Sequence, residues 1–131
     1  MMSKIKDFLS EAGVFFLATA DGAQPKLRPL GAFLEEDGKL IFGVGDFKDV
    51  YRQLKANPLT EIVACKPDGH WLRYTGRAVF ETDPKYAVDM IAAAHLEAIY
   101  NEETGHQLMT FHLEDATAVE IAVMGEGVSL L

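Results

Sequence analysis

The longest strand-like run of the chain reads Trp71-Leu72-Arg73-Tyr74-Thr75-Gly76-Arg77-Ala78-Val79-Phe80-Glu81. Successive side chains of a strand point to opposite faces of its sheet. One face then carries Arg73, Thr75 and Arg77, and it is polar and cationic. The other face carries Leu72, Tyr74, Gly76, Ala78 and Phe80. The alternation predicts a strand with one solvated face and one face packed on a core, in which Tyr74 is a packing residue.

Shorter strand-like runs flank this one and are separated by turn residues. They cover residues 13–19, 25–33, 39–44, 60–65, 108–113 and 116–123, with a predicted turn at Glu114-Asp115 between the last two. A hairpin turn is expected at Asp21-Gly22. Short antiparallel strands with turn signals about every 10 residues favour a barrel or sandwich over a parallel sheet.

Three helices interrupt the strands. The first is expected over residues 3–11 and the second over residues 47–56, ending at Asn57-Pro58. Asp83 and Pro84 predict the start of the third, which apolar spacing extends to about residue 101 as the longest helix.

Composition limits the partners. The chain has 131 residues, 49% of them hydrophobic, and a net charge of −8, which predicts one domain over residues 1–131 and argues against nucleic acid. No apolar run approaches the roughly 20 residues that span a bilayer, and no signal peptide is evident. Cys65 is the only cysteine. We therefore expect a cytoplasmic protein without a membrane partner, in which Cys65 is a small buried hydrophobe.

Residues 43–58 join a strand to the second helix and resemble an anion site. Gly43 and Gly45 allow close backbone approach, and a helix start presents unpaired amides. Lys48, Arg52 and Lys55 share one helical face. The segment predicts a phosphate-bearing ligand, although an ordinary solvated basic face explains the charges equally well.

Two local expectations complete this segment. Asp46 is a candidate N-cap of the helix. The core-facing side is expected to carry Phe47, Val50, Tyr51 and Leu54.

The four histidines, His70, His95, His106 and His112, lack metal-binding spacing, so no metal site is predicted. His70 is interpreted as a solvated turn residue, with a proton-donor role as the alternative. No catalytic triad is legible, and the catalytic residues remain unknown.

Four segments in this order resemble the pyridoxamine 5′-phosphate oxidase-like family of flavin mononucleotide (FMN) binding split barrels. They are residues 16–19, 25–31, 48–58 and 71–78. The chain looks closest to the short, single-domain members grouped with nitroimidazole-resistance-type proteins. The resemblance implies a mainly β (α+β) fold, an antiparallel split β-barrel with flanking helices.

The resemblance also implies a homodimer with FMN in clefts lined by both subunits. Arg28, Pro29 and Leu30 then run along the flavin, Arg28 also reaching the phosphate, and Lys48 meets the phosphate. Trp71, Leu72 and Arg73 approach from the partner chain. Family members often carry Thr or Ser where this chain has Val44, a further cofactor-binding position, and Phe47.

The function implied is that of an FMN-dependent oxidoreductase acting on a small organic molecule. A nicotinamide nucleotide or a partner protein would supply the electrons. The alternative is a non-catalytic dimeric module that holds FMN, haem or a deazaflavin for storage or sensing.

Overall fold

The computed structural model describes residues 2–131. Within these residues, three helices and eight strands follow one another. They are α1 (Met2–Ala12), β1 (Phe15–Asp21), β2 (Gln24–Leu30), β3 (Phe33–Glu36), β4 (Lys39–Gly45), α2 (Asp49–Ala56), β5 (Leu59–Cys65), β6 (Trp71–Phe80), α3 (Lys85–Ala94), β7 (Leu108–Ile121) and β8 (Gly127–Ser129).

All paired strands are antiparallel and form one sheet in the order β2-β1-β5-β6-β7-β4-β3, with β8 added to β7. Only Gly31 and Ala32 separate β2 from β3, although these strands stand at opposite ends of the order. A link this short spans at most about 11 Å, so the sheet must curl until its two edges meet. The predicted split barrel with flanking helices is confirmed.

The core fills the inside of the curl because alternate residues of each strand are apolar. Its strand members include Phe15, Leu17, Phe42, Ile62, Leu72, Tyr74 and Phe111. Helix α1 adds Ile5, Phe8 and Leu9, and α2 adds Val50 and Leu54. A smaller cluster lies under α3 on the other face of the sheet and consists of Ile41, Tyr86, Met90 and Leu108.

Strand β6 alternates as predicted at its start. Leu72 and Tyr74 are buried, while Arg73 between them is exposed. Burial also raises the pKa of the Tyr74 phenol, which suits a packing residue that stays uncharged.

Two strand boundaries differ from the prediction. Residues 25–33 form parts of two strands, because the chain crosses from one edge of the sheet to the other at Gly31-Ala32. The predicted turn at Glu114-Asp115 is instead a bulge within the single strand β7. Asp115 has a positive φ of 52°, and the pairing with β6 shifts by one residue between Thr75 and Arg77.

Helix α3 is shorter than predicted. His95 takes a left-handed conformation with φ 57° and ends the helix, so residues 96–107 form turns and α1 is one residue longer than α3. Strand β8 was not anticipated from the sequence. No helix within residues 2–131 is long and apolar enough to cross a bilayer.

Candidate functional site

A cavity of about 460 Å³ opens where β2, β4 and the start of α2 meet. It is bordered by Arg28, Pro29, Leu30, Gly43, Val44, Gly45, Lys48, Asp49, Val50 and Tyr100. The structure thus brings together five of the residues singled out in the sequence: Arg28, Pro29, Leu30, Val44 and Lys48. We call this space the basic cavity, because Arg28 and Lys48 are its cations and Asp49 its single anion.

The start of α2 faces the basic cavity without a cap. Lys48 is the N-cap residue, has extended backbone angles and makes no side-chain capping hydrogen bond. The expected cap, Asp46, is used elsewhere, because its carboxylate accepts a hydrogen bond from the Gln107 amide at 3.0 Å. The first-turn amides of α2 therefore lack a side-chain acceptor and favour an anion.

The two glycines of β4 serve packing within the protein. A Cβ on Gly43 would come within 2.8 Å of the Met90 sulfur, and one on Gly45 within 2.9 Å of the Tyr100 hydroxyl. The sequence-based expectation was that these glycines admit a ligand. The space that a Cβ would occupy is filled by protein side chains, while both glycines border the basic cavity, so close approach of a ligand to their backbone stays a prediction.

Arg28 is anchored by a polar network that sequence reasoning missed. Its guanidinium donates to Leu17 O at 3.1 Å, Thr19 Oγ1 at 2.8 Å and Gln53 Oε1 at 2.9 Å. Thr19 donates to Gln53 at 2.6 Å. Burial lowers the pKa of Arg28, an effect that the nearby Asp49 carboxylate opposes, and arginine stays charged in proteins. The three bonds fix the cation at the wall of the basic cavity.

The signal for this network is present in the sequence. Thr19 is in phase with the buried Phe15 and Leu17 of β1, and Gln53 lies beside Leu54 on the core-facing side of α2. Polar residues at such positions are hydrogen-bonded when buried. Their partners, however, come from three separate elements.

The three cations on the basic face of α2 make different contacts. Arg52 forms an ion pair with Asp21 at 3.3 Å, and Lys55 lies over the Tyr51 ring. Lys48 forms no ion pair within residues 2–131 and borders the cavity. Phe47, expected in the core, is 45% exposed because it precedes the helix, and its ring stacks on His106.

The remaining predicted cofactor residues lie away from the basic cavity in the same chain. Trp71 and Arg73 point to the outside of the sheet, where the Arg73 guanidinium lies 5.0 Å from the Trp71 ring centroid and 3.5 Å from Glu61. Leu72 points inward and is fully buried. Its side chain therefore serves the core, and its backbone lies in the sheet between β5 and β7.

Of two further residues interpreted from the sequence, only Cys65 differs in burial from the prediction. Cys65 was expected to be buried but is exposed, because it follows Ala64 and so faces outward at the end of β5. His70 is a turn residue whose Nδ1 lies 3.1 Å from Asp68.

Tyr100 closes the basic cavity on the side of α3. Burial raises the pKa of its phenol, and the Asp46 carboxylate adds to this effect. The hydroxyl is therefore a neutral hydrogen-bonding group at neutral pH. Tyr100 also borders the larger cavity next to α3, so one side chain forms a wall of both.

The fold and this site define a class of protein: a split-barrel domain with an anion-fitting cavity at a helix start. The family model for pyridoxamine 5′-phosphate oxidase matches residues 1–125. The chain belongs to this family, as its sequence motifs predicted. No curated protein matches the sequence.

Solved structures share the fold. A NimC/NimA family protein from Clostridium acetobutylicum is 29% identical, with a TM-score of 0.88 over 98% of this chain and 90% of that one. A haem binding protein from Mycobacterium smegmatis is 18% identical, with a TM-score of 0.68 over 93% of this chain and 54% of that one. An FAD-binding protein from Mesorhizobium loti is also 18% identical, with a TM-score of 0.62 over 93% and 96%.

Proposed function

We propose that this chain is an FMN-binding flavoprotein and an oxidoreductase of its family, acting on a small organic molecule. The observation that carries the proposal is the basic cavity, in which Arg28 and Lys48 meet the uncapped start of α2. Charged donors beside free helix amides form a general phosphate site. The family membership and a similar FAD-binding structure support a flavin as the bearer of that phosphate.

The residues present fit the phosphate of FMN. The volume of about 460 Å³ is within the roughly 300–1,000 Å³ typical of small-molecule sites. Arg28 uses three of its five N–H groups within the protein, which leaves two for an anion. Val44 supplies no hydroxyl, and it is buried, so we assign its contact to the backbone.

A second copy of the chain would complete the cleft. Phe16, Val63, Arg73 and Val119 form one row across β1, β5, β6 and β7 on the outside of the sheet. A row in which three of four residues are apolar suits an interface between copies. In the proposed homodimer, Trp71, the Leu72 backbone and Arg73 of one subunit approach the flavin of the other.

Bound FMN would supply reversible electron transfer to the substrate. The chain then has to bind the phosphate, orient the ring system and limit access of water. Lys48 and Arg28 bind the phosphate, and the β2 backbone at Pro29 and Leu30 orients the ring system. A nicotinamide nucleotide or a partner protein is the proposed source of electrons.

The second candidate is a dimeric module that stores or senses FMN, haem or a deazaflavin without turnover. The similar haem binding structure supports this second candidate. A deazaflavin would use the same phosphate contacts, whereas haem would not require Lys48.

FMN titration of the purified protein and of Lys48→Ala tests the proposal. A charge-assisted hydrogen bond contributes about 1.5–3 kcal/mol, so we expect affinity to fall roughly 10- to 100-fold. Lys55→Ala is the matched control, because Lys55 is on the same helix but does not border the cavity. Absence of measurable FMN binding by the wild-type protein, or equal losses in both variants, would overturn the proposal.

Two further measurements separate enzyme from passive binder. Anaerobic mixing of the FMN complex with reduced nicotinamide nucleotides should bleach the flavin absorbance if that donor is used. Sedimentation of the holoprotein reports the dimer independently of catalysis.

A further inference from the structure

A second cavity, of about 590 Å³, lies between α3 and the face of β7 that α3 covers. Its apolar wall includes Ala87, Val88 and Ile91 of α3 and Leu108 of β7. The turns after α3 close its other side, with Tyr100 shared between this space and the basic cavity. The volume again suits a small molecule, and the wall suits an apolar body.

The charged residues that border this space are all acidic. They are Glu81, Asp83 and Glu102, with no Lys or Arg among the bordering residues, and we call it the acidic cavity. Glu81 already forms an ion pair with Lys39 at 3.2 Å and contacts the ring of His112. Asp83 and Glu102 are exposed and form no ion pair within residues 2–131, and two carboxylates without a paired cation favour a positively charged ligand.

The cations nearest in sequence are engaged elsewhere. Lys85, which follows Asp83 by two residues, reaches Asp37 at 2.6 Å. The Asp83 carboxylate accepts only the Lys85 backbone amide at 3.0 Å. His106 also borders the cavity, and its ring is stacked on Phe47. In the described part of the chain, no cationic side chain therefore forms an ion pair with Asp83.

Thr110 gives an independent indication of a ligand. It is only 4% exposed, borders the acidic cavity and shares with Leu108 the face of β7 turned to α3. Its hydroxyl makes no hydrogen bond within residues 2–131. The described residues hold no enclosed side-chain oxygen or nitrogen without a partner, so this hydroxyl is reached through the cavity. A molecule in the cavity can therefore supply the hydrogen-bond partner of this hydroxyl.

We propose that the acidic cavity binds a small organic cation, an apolar ring or chain that ends in a protonated amine. The apolar part packs on Ala87 and Ile91, the ammonium group is held by Asp83 and Glu102, and the Thr110 hydroxyl accepts or donates the remaining hydrogen bond. Anions of the same shape are rejected by the carboxylates. The site is separate from the proposed FMN site and does not depend on flavin binding.

Benzylamine is a suitable probe, with benzyl alcohol and benzoate as matched neutral and anionic compounds. Each is titrated into the flavin-free full chain while amide chemical shifts are followed by NMR. Benzylamine should shift the amides of Ala87, Ile91 and Thr110, bind roughly tenfold more tightly than benzyl alcohol and weaken at high salt. Benzoate should shift none of them.

Matched variants test which carboxylates hold the ammonium group of benzylamine. Glu102 is exposed, so Glu102→Gln should weaken benzylamine binding about two- to fivefold, as expected for an exposed ion pair. Glu103→Gln, one residue away and not bordering the cavity, should leave it unchanged. Asp83→Asn keeps an acceptor for the Lys85 amide and should resemble Glu102→Gln. Equal binding of benzylamine and benzyl alcohol, or equal losses in Glu102→Gln and Glu103→Gln, would overturn the proposal.

Discussion

The basic and acidic cavities share the side chain of Tyr100 but differ in how their charges are held. In the basic cavity, Arg28 is fixed by three hydrogen bonds to β1 and α2, and Lys48 is next to it at a helix start. In the acidic cavity, Glu81 is paired with Lys39, while Asp83 and Glu102 border open space. A chain of net charge −8 thus keeps a local concentration of positive charge by anchoring Arg28 within its fold. Charge at a site depends on position more than on the total.

The largest expected effect comes from removing that anchor with Arg28→Lys. A lysine cannot replace the forked contacts to Thr19 and Gln53, so buried acceptors lose their donor. We expect the free energy of unfolding, measured with urea, to fall by about 2–3 kcal/mol and FMN affinity to fall with it. The control is Arg52→Lys, an exposed pair with Asp21, which should change stability by about 0.5 kcal/mol or less. Equal stability of the two variants would show that the Arg28 network is not an anchor.

A smaller change in the free energy of unfolding is expected at Thr110, whose hydroxyl has no hydrogen-bond partner within residues 2–131. Thr110→Val replaces a hydroxyl without a partner by a methyl group, so the flavin-free protein should gain about 0.5–1 kcal/mol of stability. Benzylamine affinity should fall at the same time. Thr60→Val is the matched control, since Thr60 is equally buried and donates to Ala18 O at 2.6 Å. That variant should lose about 1–2 kcal/mol, and a loss at Thr110 as well would contradict the comparison.

The smallest effect concerns the one anion of the basic cavity. Asp49 is 86% exposed, so Asp49→Asn should tighten FMN binding by only about two- to fivefold at low salt. The loss of a negative charge in the first turn of α2 should cost about 0.3–1 kcal/mol of stability. Asp7→Asn, on the distant α1, is the control in the FMN titration. Unchanged or weaker FMN binding by Asp49→Asn would mean that Asp49 does not act on the bound anion.

Much of the fold could be predicted from the sequence because the apolar alternation of the strands matches the burial of their side chains. Phe15, Leu17 and Tyr74 are at predicted core positions and are buried. The errors arose where one residue changes the backbone path. His95 and Asp115 both adopt positive φ, a conformation that sequence patterns indicate poorly for residues other than glycine.

The site was less accessible than the fold. Lys48 and Arg28 were found from the helix start and from the family motifs, and they border one cavity. Tyr100 was missed because it follows α3 by six residues in an irregular turn, where no periodicity marks its direction. The acidic cavity was missed for a related reason, since Asp83, Glu102 and Thr110 come from three segments that only the folded chain brings together.

The bulge at Asp115 sets a rule for how β7 can change in length. On its N-terminal side the odd-numbered Phe111 and Leu113 are buried, and on its C-terminal side the even-numbered Ala118 is buried. Because side chains alternate strictly, the single extra residue inverts the parity of the strand. Deleting the one extra residue would remove the bulge and keep Leu113 and Ala118 on the same face of a regular strand, whereas deleting two would turn Thr117 and Val119 inward. The loss of a single residue should therefore be tolerated better here than the loss of two.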